Sequence, residues 1–428
     1  MRILAAALAV LVVVTPHAQD RPPTTDGTEP RAAVPSWPDF RGPTRDGHAA
    51  KTSDLPRVWS DDKNVVWKTE IRGCGWSSPV IANDRVWVTS ASPDGREQFV
   101  IAVEVTTGKI LLDKKLWDVA KPDPKHALNS YASPSPVACG NRVFVHFGTY
   151  GTACIDSESF ETLWERRDLN CDHIVGPGSS PVTIGDLLVV HVDGGDVQYV
   201  VALDQMSGKT RWKTMRSVDY GTLIPDERKA YSTPIVIEHE GKQRLVSAGA
   251  EAVYQYDPAT GKELWRFRYR GYSMSSRPVT DGHTLFLTTG FNHPRLLAIS
   301  LDGEGDVTDS NMSWEQRRNV PTMPSIVLAS GRIYMSNDSG IASCLDAATG
   351  KRHWLQRLDG EVSSSLLVAA GRVYVFDREG RTTVFADKDS FERLADNHLG
   401  DGFMASPAVY GNALVLRSRT HLYRIESR

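Results

Sequence analysis

One short segment of the chain combines a thiol, a carboxylate and an imidazole, because Cys171, Asp172 and His173 follow one another. An aspartate beside a histidine could orient the imidazole as a general base near neutral pH. The same side chains could ligate a metal ion, although adjacent residues rarely point at one ion. Cys171 could act as a nucleophile if its thiol were exposed and its pKa lowered. The fourth alternative is a hydrogen-bonded loop that shapes a channel, and the sequence leaves all four open.

Two acids on a tight turn form a second candidate site. Asp193 and Asp196 enclose two glycines, and a pair of carboxylates on a turn suits a hard cation such as Ca²⁺. The further acids of a full calcium-binding loop are missing, so turn chemistry alone also explains the segment. The sequence contains neither a nucleophile elbow nor a phosphate-binding glycine loop. We therefore predict no metal ligands, no hydrolytic triad and no nucleotide site.

The cysteines of this chain do not suggest a zinc site or a disulfide framework. Their spacing matches no zinc pattern, and because their number is odd at least one thiol stays unpaired. Cys154 and Cys344 stand where other repeats carry Ala102 and Ala202, so we expect both to be small, inert core residues. The five cysteines are Cys74, Cys139, Cys154, Cys171 and Cys344.

These candidate residues are embedded in a repeated sequence that must position them. Residues 204–212, 257–265 and 346–354 share the pattern Asp-x-x-Ser/Thr-Gly-Lys-x-x-Trp. Units of this length stack into a solenoid or close into a propeller. The aspartate can accept backbone N–H bonds across the turn, and the glycine supplies positive φ. The tryptophans are expected to pack against the next unit rather than to bind a ligand. They are Trp67, Trp164, Trp212, Trp265, Trp314 and Trp354.

Eight strand starts divide the chain after residue 64 into short strands and tight turns. The last unit has only three strands, and residues 64–71 supply a further apolar strand that carries Trp67. We therefore predict an all-β fold, an eight-bladed propeller of four-stranded antiparallel blades that is closed by this N-terminal strand. The strand starts lie at Ser78, Ser135, Ser180, Thr233, Arg277, Met323, Ser364 and Ser406.

In a propeller, the loops from strand 4 to strand 1 and from strand 2 to strand 3 meet on one face around the central channel. The irregular polar loops of this chain fall on that face, while the regular Thr-Gly-Lys turns fall on the other. Convergent polar groups over a concave mouth form the default hypothesis for a binding site. The residues predicted to line this mouth are His126, Asn129, Tyr131, Asp172, His173, Asp193, Asp196, Tyr220, Tyr231, Arg277 and His293.

The N-terminus has the pattern of an export signal, since Arg2 precedes an apolar run over residues 3–14 that is short for a membrane span. We predict a signal peptide over residues 1–18, a flexible linker over 19–35, an arm over 36–63 packed on the propeller surface, and the propeller over 64–428. No cysteine directly follows the apolar run, so a lipid anchor is not predicted. The protein is therefore expected to be periplasmic or secreted.

The charge of the chain excludes one class of partner. It has 49 Lys and Arg against 52 Asp and Glu, a formal net charge of −3, and no basic stripe. Nucleic-acid binding therefore has no electrostatic support. We expect a monomer without a membrane span.

The repeat with its Ala-Leu-Asp-x-x-Thr-Gly-Lys-x-x-Trp core resembles that of the pyrroloquinoline-quinone (PQQ) propeller superfamily. That superfamily includes quinoprotein alcohol dehydrogenases and BamB-type outer-membrane assembly factors. Residues 37–43, 75–79, 171–181 and 403–407 also resemble a group of exported PQQ-like propellers from environmental bacteria. The resemblance covers residues 37–428 and implies the propeller fold. Quinoprotein dehydrogenases carry adjacent cysteines beside the quinone, whereas this chain has no Cys-Cys pair.

Two main functions follow from these observations. The first is an exported, non-catalytic propeller that uses no cofactor and binds an envelope protein, peptide or polysaccharide through its polar loop face. The alternative, which the resemblance suggests, is a PQQ- or metal-dependent oxidoreductase with PQQ and Ca²⁺ at the mouth of the channel. A hydrolase or lyase that acts on glycans is a third hypothesis.

Overall fold

The computed structural model describes residues 36–427, so the predicted signal peptide and linker lie outside the described residues. Within this range the chain forms 33 β-strands and one short 3₁₀ helix, Pro225–Glu227. Consecutive strands pair antiparallel into eight sheets, and each sheet is one blade of a propeller. Residues 36–427 contain no helix with the length and apolar character that a membrane crossing needs.

The first four blades follow one another without interruption along the chain. Blade 1 is Val80–Ala82, Arg85–Ala91, Glu97–Glu104 and Ile110–Asp118, and blade 2 is Val137–Cys139, Arg142–His146, Thr152–Asp156 and Thr162–Arg166. Blade 3 is Val182–Ile184, Leu187–Asp193, Gln198–Asp204 and Thr210–Met215, and blade 4 is Ile235–His239, Lys242–Gly249, Ala252–Tyr256 and Glu263–Arg268.

The second four blades complete the ring. Blade 5 is Val279–Thr280, Thr284–Thr288, Leu296–Ser300 and Met312–Gln316, and blade 6 is Val327–Ala329, Arg332–Ser336, Ile341–Asp346 and Arg352–Arg357. Blade 7 is Leu367–Ala369, Arg372–Phe376, Arg381–Ala386 and Arg393–His398, and blade 8 is Ala408–Tyr410, Ala413–Arg417, His421–Ile425 and Val65–Glu70.

The composition of blade 8 confirms the predicted closure of the ring. Its outer strand, Val65–Glu70, pairs antiparallel with His421–Ile425, so the two ends of the propeller share one sheet. The first strands of blades 8 and 1 are also neighbours. The strand that the last unit lacks is thus taken from the beginning of the chain, which leaves neither end of the ring open.

Six tryptophans join neighbouring blades, as the repeat predicts. Each indole N–H donates to a backbone carbonyl in the connection between the third and fourth strands of the next blade, at 2.9–3.2 Å. The ring face fills the space that the turn glycine leaves, because a Cβ on Gly261 would lie 2.5 Å from Trp212. Asp204 accepts the N–H groups of Met206 and Ser207 across its turn. Cys154 and Cys344 are fully buried, as expected for core residues.

One connection departs from the repeat. Between the third and fourth strands of blade 5 the chain forms a longer loop instead of a Thr-Gly-Lys turn. Within this loop Gly305–Asp306 pairs in parallel with Trp265 and Arg266, which adds a fifth strand to blade 4. The loop therefore ties blade 5 to the outer edge of blade 4.

Residues 37–49, called the plug segment below, lie in the central channel. Backbone groups and arginine side chains of this segment form hydrogen bonds with residues in or next to the innermost strands on several sides of the ring. A segment with partners all around the ring lies on its axis. The expectation of an arm on the propeller surface is wrong for this segment, because eight first strands leave a channel that an aperiodic chain can fill. Its partners are Ile81 in blade 1, Ala138 in blade 2, Thr183 in blade 3, Ile326 in blade 6 and Val368 in blade 7.

A buried ion pair holds the plug segment. Arg277 is fully buried, and its Nη1 lies 2.9 Å from Oδ1 of Asp39. The same guanidinium donates to the carbonyl oxygens of Phe40 and Pro234. Burial lowers the pKa of Arg277, while Asp39 acts in the opposite direction. Removal of either partner would leave an uncompensated buried charge, which is strongly destabilising.

After the plug segment the chain crosses the seam between blades 7 and 8. Leu55 and Trp59 are buried in one cluster with residues of both blades. The backbone N–H of Trp59 donates to Oδ1 of Asn397 at 2.8 Å. Ala395 occupies the register position at which most blades carry the inter-blade tryptophan. Trp59 therefore brings to this seam the large ring that the fourth strand of blade 7 lacks.

Candidate functional site

The first strands of the blades are joined by a ring of hydroxyl groups around the channel. At seven of the eight junctions the backbone N–H of one strand start donates to the side-chain oxygen of the next, at 2.9–3.1 Å. We call this set the hydroxyl ring. Its members are Ser78, Ser135, Ser180, Thr233, Ser325, Ser365 and Ser406.

The hydroxyl ring corrects two predicted strand starts. In blade 6 the ring residue is Ser325 rather than Met323, because Pro324 precedes the ring position there instead of following it. In blade 7 it is Ser365 rather than Ser364. The eighth position is Arg277, which has no hydroxyl, and its side chain is directed at the plug segment instead.

Above the hydroxyl ring lies a cavity of about 590 Å³, called the mouth cavity below. Six hydroxyl-ring residues form its base, together with Phe40 at the tip of the plug segment. Since the plug segment fills the channel beneath, the mouth cavity is a blind pocket rather than a passage. Its size falls in the usual range for small-molecule and peptide side-chain pockets.

The wall of the mouth cavity has one regular component. The residue two positions before each ring position lines it, so that every blade contributes one wall residue. The wall is asymmetric: large side chains come from blades 1, 4, 6 and 8, and small ones come from the rest. The eight wall residues are Trp76, Ser133, Gly178, Tyr231, Ser275, Met323, Ser363 and Met404.

The charged side chains at the mouth cavity are already paired with protein groups. Lys229 binds Asp226, and Arg378 donates to Oε2 of Glu361 at 2.5 Å. Asp338 accepts the backbone N–H groups of Thr322 and Met323 and the Thr322 hydroxyl. The cavity therefore presents hydroxyl, aromatic and thioether groups to a ligand, and its formal charges neutralise one another.

Three of the predicted mouth residues line this cavity. His126 is exposed at its rim, and Asn129 donates to the carbonyl oxygens of Val175 and Pro177. Tyr231 belongs to the wall, and its hydroxyl donates to the carbonyl oxygen of His173. Asn129 and Tyr231 thus also hold the loop that carries the Cys-Asp-His segment.

The Cys-Asp-His segment sits behind the wall of the mouth cavity, and its polar groups bond within the protein. Burial lowers the pKa of His173 to about 4, so the imidazole is neutral near pH 7, and its Nε2 accepts the Thr149 N–H at 3.1 Å. Asp172 accepts the backbone N–H of Ile174. Burial raises the pKa of the Cys171 thiol. These contacts favour the hydrogen-bonded loop over a base, a nucleophile or a metal site.

The two acids of the Asp-Gly-Gly-Asp turn have separate roles. Asp193 is buried between blades 3 and 4, where Nε of Arg216 lies 3.1 Å from both of its carboxylate oxygens. Arg216 also donates to His191 Nδ1, so the proton of that neutral imidazole is on Nε2. Oδ1 of Asp196 accepts the backbone N–H groups of Asp172 and Val197. Both acids are therefore occupied by protein donors.

The other predicted residues are dispersed. The Tyr131 hydroxyl donates to the Asp123 carbonyl oxygen, and burial raises the pKa of Tyr220, which is half-buried near Tyr254. His293 lines a second pocket, of about 790 Å³, beside the mouth cavity. Arg277 lies in the channel rather than at its mouth because its guanidinium is fully buried against Asp39. Ligand binding by the predicted set stays a prediction.

Sequence reasoning missed most of the wall because it searched for polar residues. Trp76 and Met404 lie in segments that the sequence analysis compares with other propellers, yet neither was selected. A positional signal could have found them, since every wall residue precedes a ring position by the same two residues. Phe40 carries no such signal because it reaches the cavity through the plug segment.

The repeat, the closed ring of eight blades and the blind mouth define a class, that of the PQQ-like β-propellers. A family model described as "Outer membrane protein assembly factor BamB" matches residues 43–167, 197–328 and 312–394. These ranges cover more than half of the chain, which therefore belongs to this family. No curated protein matches the chain significantly.

Solved structures with the same fold include a BamB protein and two dehydrogenases. BamB from Moraxella catarrhalis is 14% identical with a TM-score of 0.60, and the match covers 84% of this chain and 99% of that chain. A europium-containing methanol dehydrogenase is 13% identical with a TM-score of 0.63, covering 90% of each chain. The quinohemoprotein alcohol dehydrogenase from Comamonas testosteroni is 10% identical with a TM-score of 0.64, covering 92% and 81%. At these identities the likeness shows the fold alone.

The mouth cavity does not fit the PQQ cofactor that the fold suggests. PQQ carries several carboxylates, which require unpaired cations or a bound metal ion at the site. Lys229 and Arg378, the Lys and Arg residues that line the mouth cavity, are each paired with an acid. Asp338, which could bind Ca²⁺, is occupied by Thr322 and Met323 donors. We therefore derive no chemistry through a quinone for this chain.

Proposed function

We propose that this protein is an exported, non-catalytic binding propeller that holds a segment of an envelope protein or peptide in its mouth cavity. The observation that carries the proposal is a blind cavity on the ring axis, built from every blade. A site built on eight packed first strands is rigid, which reduces the entropy lost when a ligand binds. The family's description as an assembly factor and the export pattern of the sequence support a protein partner in the envelope.

The base of the mouth cavity suits a ligand with hydrogen-bond acceptors. Each ring hydroxyl accepts a backbone N–H through a lone pair, which leaves its own proton free to donate. A backbone carbonyl of an extended peptide is such an acceptor. Ser78, Ser135 and Ser180 are at most 4% exposed, so a donated bond there would be shielded from water.

The wall of the mouth cavity suits an apolar side chain. Trp76 and Met404 belong to neighbouring blades, and Met323 lies two blades from Met404, beyond the small Ser363 of blade 7. Thioethers adapt to irregular apolar shapes, and aromatic rings bury large areas with little loss of side-chain freedom. A peptide offers both a backbone for the base and a side chain for the wall, so we favour it over a polysaccharide.

Binding arrays of short peptides and of polysaccharides test the proposal. The purified protein is screened on both, and Trp76→Ala and Met404→Ala are compared with Met206→Ala. Met206 is 64% exposed on a turn of the opposite face and serves as the control. We expect peptide binding that falls at least about tenfold in the two wall variants, because truncation of an anchor costs about 2 kcal/mol. Two results would contradict the peptide assignment. One is peptide binding that is weakened by Met206→Ala but not by the two wall variants, and the other is binding to polysaccharide alone.

A further inference from the structure

One cluster of metal-ligating side chains lies far from the mouth cavity, on the turn face at the seam of blades 4 and 5. His239 ends the first strand of blade 4, Glu240 begins the following turn, and Asp302 is the second residue of the long loop of blade 5. One ligand atom from each side chain lies within 4.8 Å of the others. None of the three residues was among the predicted site residues, because Asp302 lies 62 positions after Glu240 in the chain.

The imidazole of His239 lies between two hydrogen-bond acceptors. Its side chain is 8% exposed, Nδ1 lies 3.4 Å from the carbonyl oxygen of Gly282, and Nε2 lies 3.1 Å from Oδ1 of Asp302. A carbonyl oxygen can only accept, so Nδ1 carries a proton. Nε2 is then the ring atom that faces the carboxylate of Asp302, and the two atoms are placed to share one cation.

The geometry around the two atoms matches a metal site. Ligands of a tetrahedral Zn²⁺, at roughly 2.0–2.2 Å from the ion, are about 3.4 Å apart, close to the His239–Asp302 separation. Histidine ligands commonly donate their other N–H to a backbone carbonyl, as Nδ1 does here to Gly282. Asp302 is oriented in the same way, because Oδ2 accepts the Ser300 hydroxyl at 3.1 Å. Both principal ligands are therefore held by a second set of contacts.

We propose that His239, Glu240 and Asp302 bind a Zn²⁺-class divalent ion that links blades 4 and 5. Imidazole together with two carboxylates favours zinc and its neighbours over Ca²⁺ or Mg²⁺, which prefer oxygen ligands alone. Three protein ligands leave a fourth position for water on the exposed side, where Asp302 is 73% exposed. The ion fixes the start of the blade 5 loop, which already pairs with the outer strand of blade 4.

The test is a calorimetric titration of the purified protein, freed of metal with a chelator, with ZnCl₂ as the probe. We expect one Zn²⁺ per chain, a higher melting temperature with Zn²⁺, and an anomalous diffraction peak beside His239. His239→Gln and Asp302→Asn should abolish binding, and Ser300→Ala should weaken it about tenfold or more. His353→Gln, which removes an exposed histidine from blade 6, is the matched control and should bind as the wild type does.

Two results would overturn the proposal. One is the absence of saturable Zn²⁺ binding to the folded wild type. The other is Zn²⁺ binding that persists in Asp302→Asn, since this exposed side chain can be changed without disturbing the core. Melting temperatures in the presence of chelator show whether each variant is folded, so a loss of binding cannot be mistaken for a loss of structure.

Discussion

At the scale of single residues, the turn glycine of the repeat has two separate functions. Gly261 adopts a φ of +72°, which is costly for any residue with a Cβ, and it leaves room for the Trp212 ring. The same combination holds at Gly108, Gly208 and Gly350. The repeat thus preserves glycine for conformation and for packing together, and four of the six inter-blade tryptophans, Trp67, Trp164, Trp212 and Trp314, pack against a turn glycine of the neighbouring blade.

These two functions can be separated by a pair of substitutions within blade 4. Gly241 has a φ of +69° with no atom within 4 Å of an added Cβ, whereas the Cβ of Gly261→Ala would lie 2.5 Å from Trp212. We expect Gly241→Ala to lower the free energy of unfolding by about 1–2 kcal/mol. Gly261→Ala should lower it by about 1–3 kcal/mol more because of the steric clash. Denaturant unfolding measures both, and equal losses would contradict the packing function.

At the scale of structural elements, the plug segment decides what kind of site the propeller has. An empty channel would connect the two faces, whereas the plug segment closes it and places Phe40 at the base of the mouth cavity. The ion pair between Asp39 and Arg277 fixes its position, and Asp39 also lies 2.9 Å from Arg45. The floor of the binding site therefore comes from a segment that is not part of any blade.

Loss of the buried carboxylate should release the plug segment. Asp39→Ala leaves Arg277 buried without its counter-ion, which costs about 3–5 kcal/mol. The control is Asp54→Ala on the same arm, where the carboxylate is 81% exposed and pairs with Arg372, a contact worth about 0–1 kcal/mol. Hydrogen exchange of residues 37–49 measures the effect. Unchanged protection in Asp39→Ala would show that backbone pairing alone holds the segment.

At the scale of the whole molecule, stability depends on the closure of the ring. Blade 8 is the one sheet that joins the two ends of the propeller, through the pairing of Val65–Glu70 with His421–Ile425. Trp67 extends this closure to blade 1, where its indole N–H donates to the carbonyl oxygen of Val105 at 2.9 Å. The ring can therefore open within blade 8 by separation of this one strand pair, whereas continuous chain connects each blade to the next.

The strand pairing that closes the ring in blade 8 should be more sensitive to loss of a tryptophan than any contact between two other blades. Trp67→Ala removes a buried ring, which costs about 3–5 kcal/mol, and it should raise hydrogen exchange in both Val65–Glu70 and His421–Ile425. Trp164→Ala is the matched control, because the same ring is lost from the seam between blades 2 and 3. There we expect faster exchange to stay near that seam. Equal exchange patterns in the two variants would argue against a special role of the closure.

The fold was predictable from the sequence because its signals are local. The Asp-x-x-Thr-Gly-Lys turn, the alternation of short strands and the position of Trp67 all lie within a few residues of the structure that they encode. Even the closure followed, since a unit of three strands and an isolated strand at the other end complete each other. The start of blade 6 was predicted two residues too early, because Pro324 precedes the ring position there instead of following it.

The binding site, by contrast, was decided by tertiary structure. Arg277 and Tyr231 both lie in loops that lead into first strands, yet one is buried against Asp39 and the other lines the mouth cavity. The contact between Arg277 and Asp39 joins residues 238 positions apart, and no local pattern encodes it. Repeats specify which residues recur around a ring, because each blade solves the same packing problem. Which side chains face the mouth cavity depends on the plug segment that fills the channel, and the plug segment is not part of the repeat.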